Sequence, residues 1–402
     1  MRLLVLASTY PRWLNDHEPG FVHELAKRMI GDFKVTVLCP HSPGAEASEI
    51  MDGVEVVRFR YAPEKFELLV NDGGIVNNLI ARPWLWCILP LFFLCQLWAL
   101  IRINRSLKPD VVHAHWIIPQ GLTIALARVL GARLPPYLLT SHGGDLFAFR
   151  SGFFKRLKLF AVSKASVLTV VSETMRKTAV DMGVAREKVR VRSMGVDLQD
   201  RFVPLRAAEL EPALSVLFVG RLVEKKGGDV LIKSMSGVRE AFPDVRLDLV
   251  GFGPEEDSLR KLADAMNVSD CIRFHGARSQ QEVVWFYQNA SVLAAPFVRA
   301  ASGDEDGLGL VLAEALASGC PVVTTNLPAT LDIVEGLTSA KVVVSGCPDA
   351  LAESLIEVLR NQSEYRNKVM RERPIIMNRL DWQSVAGDYS DILKLLASRS
   401  PS

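Results

Sequence analysis

The sequence predicts an α/β protein built from two doubly wound domains. Short apolar runs alternate with helical patterns along the whole chain, as expected of parallel strands covered by helices. The chain has 402 residues, more than one hydrophobic core comfortably serves, so two cores are expected. The alternation also occurs twice, interrupted after about residue 196 by a Glu/Ala/Pro stretch that suits a domain boundary.

In the first half the apolar runs predict strands near residues 2–8, 34–39, 54–59, 110–114, 137–141 and 166–171. The opening Met1–Ser8 reads as the first of these and not as a signal peptide, because the apolar run is short and Pro11 follows closely. The second half predicts strands near 214–219, 246–251, 271–275, 291–294, 321–324 and 341–344. Met194 to Pro204, with the Glu/Ala/Pro stretch, reads as the linker. The expected spans are therefore 1–196, 197–376 and a helical tail over 377–402. Doubly wound domains bind ligands at the carboxyl ends of their strands, so functional residues are expected in those loops.

Apolar residues make up 49% and charged residues 23% of the chain, a globular and not a disordered composition. The six cysteines, Cys39, Cys87, Cys95, Cys271, Cys320 and Cys347, lack metal-ligand spacing, and a reducing cytoplasm is the expected setting. Charge divides unevenly. Residues 1–196 hold 25 Lys and Arg against 16 Asp and Glu, whereas the remainder holds 22 against 29. A basic first half suggests an anionic surface or acceptor on that side. No repeat, low-complexity segment or nucleic-acid motif stands out.

The most informative segment is Asp306-Gly-Leu-Gly-Leu-Val-Leu-Ala-Glu314, running on to Val323. Gly307 and Gly309 lack Cβ atoms, so the backbone there approaches a ligand closely. A helix starting near Leu310 would offer free N–H groups and the positive end of its dipole to a phosphate or a hydroxyl. Glu314, one turn inside, would reach a different part of the same ligand, such as a ribose with adjacent hydroxyls. The same letters also suit an ordinary helix with Leu310, Leu312, Ala315 and Leu316 in a core and acids at its start.

The segment resembles the C-terminal signature of retaining glycosyltransferases of the GT-B fold, family 4, also called glycosyl transferases group 1. In that signature Glu-Gly-Phe/Leu-Gly/Pro leads after seven residues to a second Glu. This chain carries Asp306 directly before Gly307 where the family has Glu, and Glu305 stands one place earlier. The resemblance implies two Rossmann-like doubly wound domains facing a central cleft. It implies a nucleoside diphosphate sugar held by Glu305 or Asp306, Gly307, Leu308, Gly309, Leu310 and Glu314, the last on the ribose.

Two further loops of the second half join this picture. Phe218-Val-Gly220-Arg221-Leu-Val-Glu-Lys-Lys226-Gly227 follows a strand, and Arg221 and Lys226 bring charge able to neutralise a diphosphate without a metal. The string is similar to the family's diphosphate-binding loop. Leu249-Val-Gly251-Phe-Gly253-Pro254 is a glycine turn ahead of a helix, incomplete as a dinucleotide fingerprint. In the family the matching loop lies beside the nucleotide, which carries Gly251 and Gly253 over. Asp304-Glu305-Asp306 fits an Asp-x-Asp metal motif of another fold and is read as coincidental; no metal or other cofactor is expected.

In the first half, Val111-Val-His113-Ala-His115-Trp116 and Thr140-Ser-His142-Gly-Gly-Asp145 each end a strand, where a crevice should lie. A histidine in such a place is either a satisfied core residue or a catalyst. The second element resembles the family's His-Gly-x-Asp motif, which implies that His142 approaches the sugar. His115 and Asp145 are expected on the acceptor side, and Asp145 equally suits a helix cap. The loop Ser8 to Leu25 resembles the family's first phosphate and acceptor loop, and its Pro19-Gly20 pair carries Gly20 over as a donor contact.

Pro83 to Ile101 is almost wholly apolar, with Gln96 its one strongly polar side chain. Its length suits a membrane span and its tryptophans suit interfacial anchors, yet a span would split the first sheet between two compartments. A buried core helix and an element pressed into one leaflet remain. Arg102, Arg105 and Lys108 follow, and Phe153 to Phe160 pairs Phe153, Leu157 and Phe160 with Lys155, Arg156 and Lys158, as a basic amphipathic surface helix would. Peripheral attachment to the anionic inner leaflet of the cytoplasmic membrane is the expectation.

Taken together the resemblance implies sugar transfer from a nucleoside diphosphate donor to a glycan or lipid-linked acceptor in cell-surface polysaccharide or glycolipid synthesis, with the anomeric configuration retained. His142, Asp306, Arg221 and Lys226 would be catalytic. Front-face substitution, with the leaving phosphate taking the acceptor proton, is the implied route, and a double displacement through Asp306 its rival. A nucleotide-sugar epimerase and a non-catalytic membrane scaffold are alternatives on the same fold.

Overall fold

Parallel pairing organises both halves of the chain. The structure, a computed structural model, describes residues 1–14, 16, 20–70, 74–148, 151–205, 214–301 and 309–399. It divides into two units, Met1–Gly195 with Trp382–Ser402, and Val196–Asp381. The expected boundary after residue 376 shifts, because one helix, Gln362–Leu380, runs through it unbroken.

Unit 1 holds β1 (Arg2–Leu6), β2 (Lys34–Pro40), β3 (Ser48–Met51), β4 (Val54–Phe59), β5 (Val111–His115), β6 (Tyr137–Ser141), β7 (Val167–Val170) and β8 (Val189–Val191). Their order is β3-β4-β2-β1-β5-β6-β7-β8. All pairs are parallel except β3 against β4. Leu3 pairs with Val35 on one side and Val111 on the other, so β1 is central. Every residue of β5 and β6 is buried, as expected where helices cover both faces.

Unit 2 holds β9 (Ser215–Val219), β10 (Arg246–Val250), β11 (Ile272–Gly276), β12 (Val292–Ala295), β13 (Val322–Thr325) and β14 (Ala340–Val343). The order is β11-β10-β9-β12-β13-β14, all parallel. Both sheets thus contain the doubly wound order 3-2-1-4-5-6, which reverses between β1 and β5 and between β9 and β12. The loops leaving β9 and β12, and those leaving β1 and β5, flank the crevice of their own unit.

Right-handed crossovers put the helices that follow β4, β5 and β6 on one face of the first sheet. Leu89–Leu107 packs against Leu122–Val129, which packs against Gly152–Lys164. Leu89–Leu107 and the short turn Pro83–Cys87 before it bury Leu85, Phe92, Ala99 and Leu100, with Gln96 satisfied by the Thr123 hydroxyl donating to its Oε1 at 2.8 Å. No helix among the described residues is long and apolar enough to cross a membrane. The reading of Lys158 as a surface base is overturned: it is buried, and its ammonium donates to Leu146 O and Ala148 O.

On the opposite face the helix Trp382–Ser398 packs on Phe21–Arg28 and against β5 and β6. Tyr389 stacks on His113 with centroids 5.4 Å apart, and Lys394 pairs with Asp32 at 2.8 Å. The expected linker is also corrected in part. Val196, Leu198 and Phe202 are buried in unit 2 with Tyr287, because these apolar side chains gain more from the core than from water. Residues 206–213 lie outside the described residues.

Gly195 lies against Trp382, where an added Cβ would come within 2.3 Å of the indole ring. Gly195→Ala should therefore lower the melting temperature by roughly 3–10 °C through overpacking. Gly31→Ala, whose Cβ would meet nothing within 4 Å, should leave it unchanged. Thermal unfolding followed by circular dichroism checks both.

Candidate functional site

In unit 2 the site is built by backbone meeting backbone. The turn after β10 lies on the turn after β9: Gly220 N donates to Val250 O and Leu222 N to Phe252 O, each at 2.9 Å. A Cβ at Gly251 would stand 1.9 Å from Gly220 O, and one at Gly253 2.2 Å from Leu222 O. Both glycines are thus required for this approach, and Gly251 also has φ +138°. What they do in this structure is hold the Arg221–Lys226 loop at the carboxyl end of β9.

The loop is tied across the switch point as well. Val298 N donates to Lys225 O at 3.0 Å and Ala301 N to the Glu224 carboxylate at 2.8 Å, which brings the loop to the segment leaving β12. Gly227 (φ +69°) leaves room for Pro296 O, 1.9 Å from where a Cβ would be. Lys226 Nζ lies 4.5 Å from the centre of the Phe297 ring, a cation–π contact. Arg221 is exposed at the mouth of the same loop.

Gly309, with φ +62°, caps the helix Leu310–Ala317 at its start and faces the Phe297 ring. One turn on, Glu314 accepts a 2.8 Å hydrogen bond from Tyr287 Oη. Burial pushes the Glu314 carboxyl above its ordinary range, while the Tyr287 hydroxyl, Arg201 and Lys226 pull it back. Lys226 and Glu314, far apart in sequence, therefore act on each other within one unit. Glu305, Asp306, Gly307 and Leu308 lie outside the described residues.

Unit 1 gathers its histidines at the ends of β5 and β6. His115 Nδ1 and His142 Nε2 are hydrogen-bonded at 2.9 Å with the rings stacked, and the His113 ring centre is 4.1 Å from that of His115. Phe21 and Trp116 stand 4.8 and 5.0 Å from the His142 ring. Gly20, just before Phe21, has an ordinary conformation, and a Cβ there would meet only Pro11 Cγ at 3.9 Å. The fold itself does not demand glycine at that position.

Two residues expected on the acceptor side are held by internal contacts. His115 is 1% exposed, because β5 is covered on both faces, and it stands behind His142 as its support. Asp145 points inward: its Oδ2 accepts from Ile117 N at 2.6 Å, and its Oδ1 from the Ser141 hydroxyl at 2.8 Å and His142 N at 3.2 Å. It staples the His142 turn to the start of the loop after β5.

Sequence reasoning missed Phe21, Trp116, Tyr287, Phe297 and Arg201. Trp116 has φ +72°, a strained conformation for a bulky residue and one that no sequence pattern marks. The others reach their partners through tertiary packing alone.

Comparison with known proteins agrees with this architecture. The model for Glycosyltransferase Family 4 matches residues 21–200, and that for Glycosyl transferases group 1 matches residues 207–373. WcaL of Escherichia coli K12, named for a colanic acid biosynthesis glycosyltransferase, is 29% identical over 73% of this chain and 73% of its own. A GDP-mannose-dependent alpha-(1-6)-phosphatidylinositol monomannoside mannosyltransferase of Mycobacterium tuberculosis is 26% identical over 73% of this chain and 79% of its own. Among solved structures, the sucrose-phosphate synthase of Thermosynechococcus elongatus superposes with a TM-score of 0.75 at 19% identity, covering 99% of this chain and all of the other. Anabaena HepE, solved with UDP, gives 0.72 at 17% identity, covering 98% of this chain and 100% of its own. The fold is GT-B, and the chain belongs to the family 4 glycosyltransferases.

Burial pushes His113 and His142 down to about 3 and His115 well below its ordinary value, and the neighbouring histidines add to the shift of His113 and His115. The unfolded chain takes up these protons near pH 6.5 and the folded chain does not. Stability should then be level above pH 6.5 and fall as pH drops toward 3, by up to ~1.4 kcal/mol per pH unit for each histidine. Urea titrations from pH 7.5 to 5 check this, and His113→Gln should show a shallower slope than the parent.

Proposed function

We propose that the chain transfers a sugar from a nucleoside diphosphate donor to a glycan or lipid-linked acceptor, with retention at the anomeric carbon, in cell-surface polysaccharide or glycolipid synthesis. One observation carries this reading: Lys226 rests on Phe297 at the unit 2 switch point, close enough to Glu314 for its charge to act on that carboxyl. A cation for phosphate and a carboxylate for ribose hydroxyls are then offered to one ligand, beside the start of the helix Leu310–Ala317. The names of the relatives in colanic acid and phosphatidylinositol mannoside synthesis support the choice of product class.

As the C1–O bond to the diphosphate breaks, negative charge grows on the leaving oxygen. Lys226 and Arg221 stabilise that charge more in the transition state than in the ground state, which is what accelerates transfer. The acceptor oxygen bonds to C1 on the same face, and its proton passes to the leaving phosphate. The reading needs no metal, since the two basic side chains supply the charge. His142, neutral within its aromatic surround, offers the sugar a hydrogen-bond partner, and Glu314 holds the ribose. Peripheral attachment to an anionic inner leaflet would bring a lipid-linked acceptor within reach.

A thermal-shift panel of UDP-, GDP- and ADP-sugars should single out one donor, since a ligand of the native state raises the melting point. With that donor, Lys226→Ala should lower turnover about 10²–10³-fold at unchanged stability. Near-normal turnover would remove the diphosphate assignment. Glu314→Gln should weaken donor binding about tenfold or more, read by calorimetry. Retention is checked by NMR of the anomeric proton in the first-formed product.

A further inference from the structure

The outer face of the segment Pro83–Leu107 is left uncovered by its own unit. Leu91, Leu94, Trp98, Arg102 and Arg105 follow one another at spacings of three and four residues, which places them on one stripe of the helix Leu89–Leu107. Trp84 and Trp86 lie in the turn before it. Trp84, Trp86, Leu91, Leu94 and Trp98 are 44–64% exposed, unusual for so many large apolar side chains side by side. The stripe runs along the surface of the unit, with its apolar part first and its cationic part last.

The cationic end is shaped. Trp98, Ile101, Arg102, Arg105 and Ser106 line an open cavity of about 420 Å³. The Arg102 guanidinium lies 5.2 Å from the centre of the Trp98 ring. Among the described residues neither Arg102 nor Arg105 is paired with a carboxylate. The surrounding sequence is depleted of acid: residues 73–172 contain 11 Lys and Arg, and Asp110 and Asp145 are the acids among them. Asp110 is taken by Arg2, accepting from its backbone N at 2.7 Å, and Asp145 points inward.

We propose that this stripe is a membrane-docking face, in which Trp84, Trp86, Leu91, Leu94 and Trp98 sink into one leaflet while Arg102 and Arg105 clasp the phosphate of an anionic lipid headgroup. An apolar stripe with tryptophans suits the acyl boundary, and arginines at its end suit the headgroup layer. A guanidinium stacked on an indole presents its N–H fork outward, and the fork matches phosphate oxygens. The occupant is a lipid surface because the depletion of acid extends well beyond the stripe, as an extended anionic plane requires. The inference gives the peripheral attachment in the functional reading above its residues and rests on that reading.

Sedimentation with vesicles of phosphatidylcholine alone, or with phosphatidylglycerol added, tests it on the full chain. Binding should strengthen about tenfold or more with phosphatidylglycerol and weaken with salt. Tryptophan emission should shift to the blue on binding. Trp84→Ser with Trp98→Ser should abolish the shift and most of the binding. Arg102→Glu with Arg105→Glu should remove the preference for phosphatidylglycerol even if the tryptophan pair folds poorly. Thermal shift by the nucleotide sugar should be the same in parent and variants, which separates failure of docking from failure of the transfer reading. Equal binding of parent and both variants would overturn the proposal. So would a concentration-dependent dimer that the tryptophan pair abolishes, since a second copy would then own the face.

Discussion

The close approach of two backbones at the switch point of unit 2 is the constraint on which the donor side depends. Gly251 and Gly253 have no Cβ because the carbonyls of Gly220 and Leu222 occupy the space. Removing that contact would leave the Arg221–Lys226 loop held on one side, by its tethers to Ala301 and Val298. A lysine has a flexible four-carbon stem and supplies useful transition-state charge only when its base is fixed. Here the base is fixed by hydrogen bonds on both sides and the tip rests on Phe297. Positioning is achieved by main chain, and the side chain adds only charge.

The same logic, with different chemistry, operates in unit 1. Three histidines are packed into a sheet whose faces are both covered, and burial keeps them neutral. Neutral imidazoles remain both donors and acceptors, so the row from His113 through His115 to His142 passes orientation outward instead of charge. Thr140 Oγ1 fixes His113 from beneath at 2.8 Å, and Asp145 fixes the turn that bears His142. The last member of the row meets both Phe21 and Trp116.

Much of this was legible in the sequence because parallel strands buried on both faces advertise themselves as apolar runs. Among the described residues, all six strands of unit 2 and six of the eight in unit 1 fall where such runs predict them. The two not anticipated are short edge strands: Ser48–Met51 contains Glu49, and Val189–Val191 has Arg190 at its centre. Gly251 and Gly253 were legible as a glycine turn ahead of a helix, but the contact with the carbonyls of Gly220 and Leu222 that demands them was not. A side chain that reaches a site by packing leaves no local trace. Tyr287 meets Glu314 from a helix that carries no motif, and Trp116 is marked by a strained angle that no pattern encodes. The hydrogen bonds that hold His115 and Asp145 left no trace either, since a strand-end residue faces the crevice or the core according to packing that sequence spacing does not set.

The segment Pro83–Leu107 shows how one composition serves two solvents. By length and hydropathy alone it reads as a span, but a span surrounded by lipid would turn its polar groups inward and its apolar ones outward on every side. Here the inward face holds Phe92 and Leu100 together with Gln96, whose amide is matched to Thr123, so that face is an ordinary protein core. The outward stripe carries nothing polar until Arg102. A helix in contact with water on that side would normally carry charge there, since the sheet needs only one apolar stripe from it. The second apolar stripe lies outside the core of unit 1, and its position ahead of Arg102 and Arg105 gives the basic half of the chain a surface on which its charge can act.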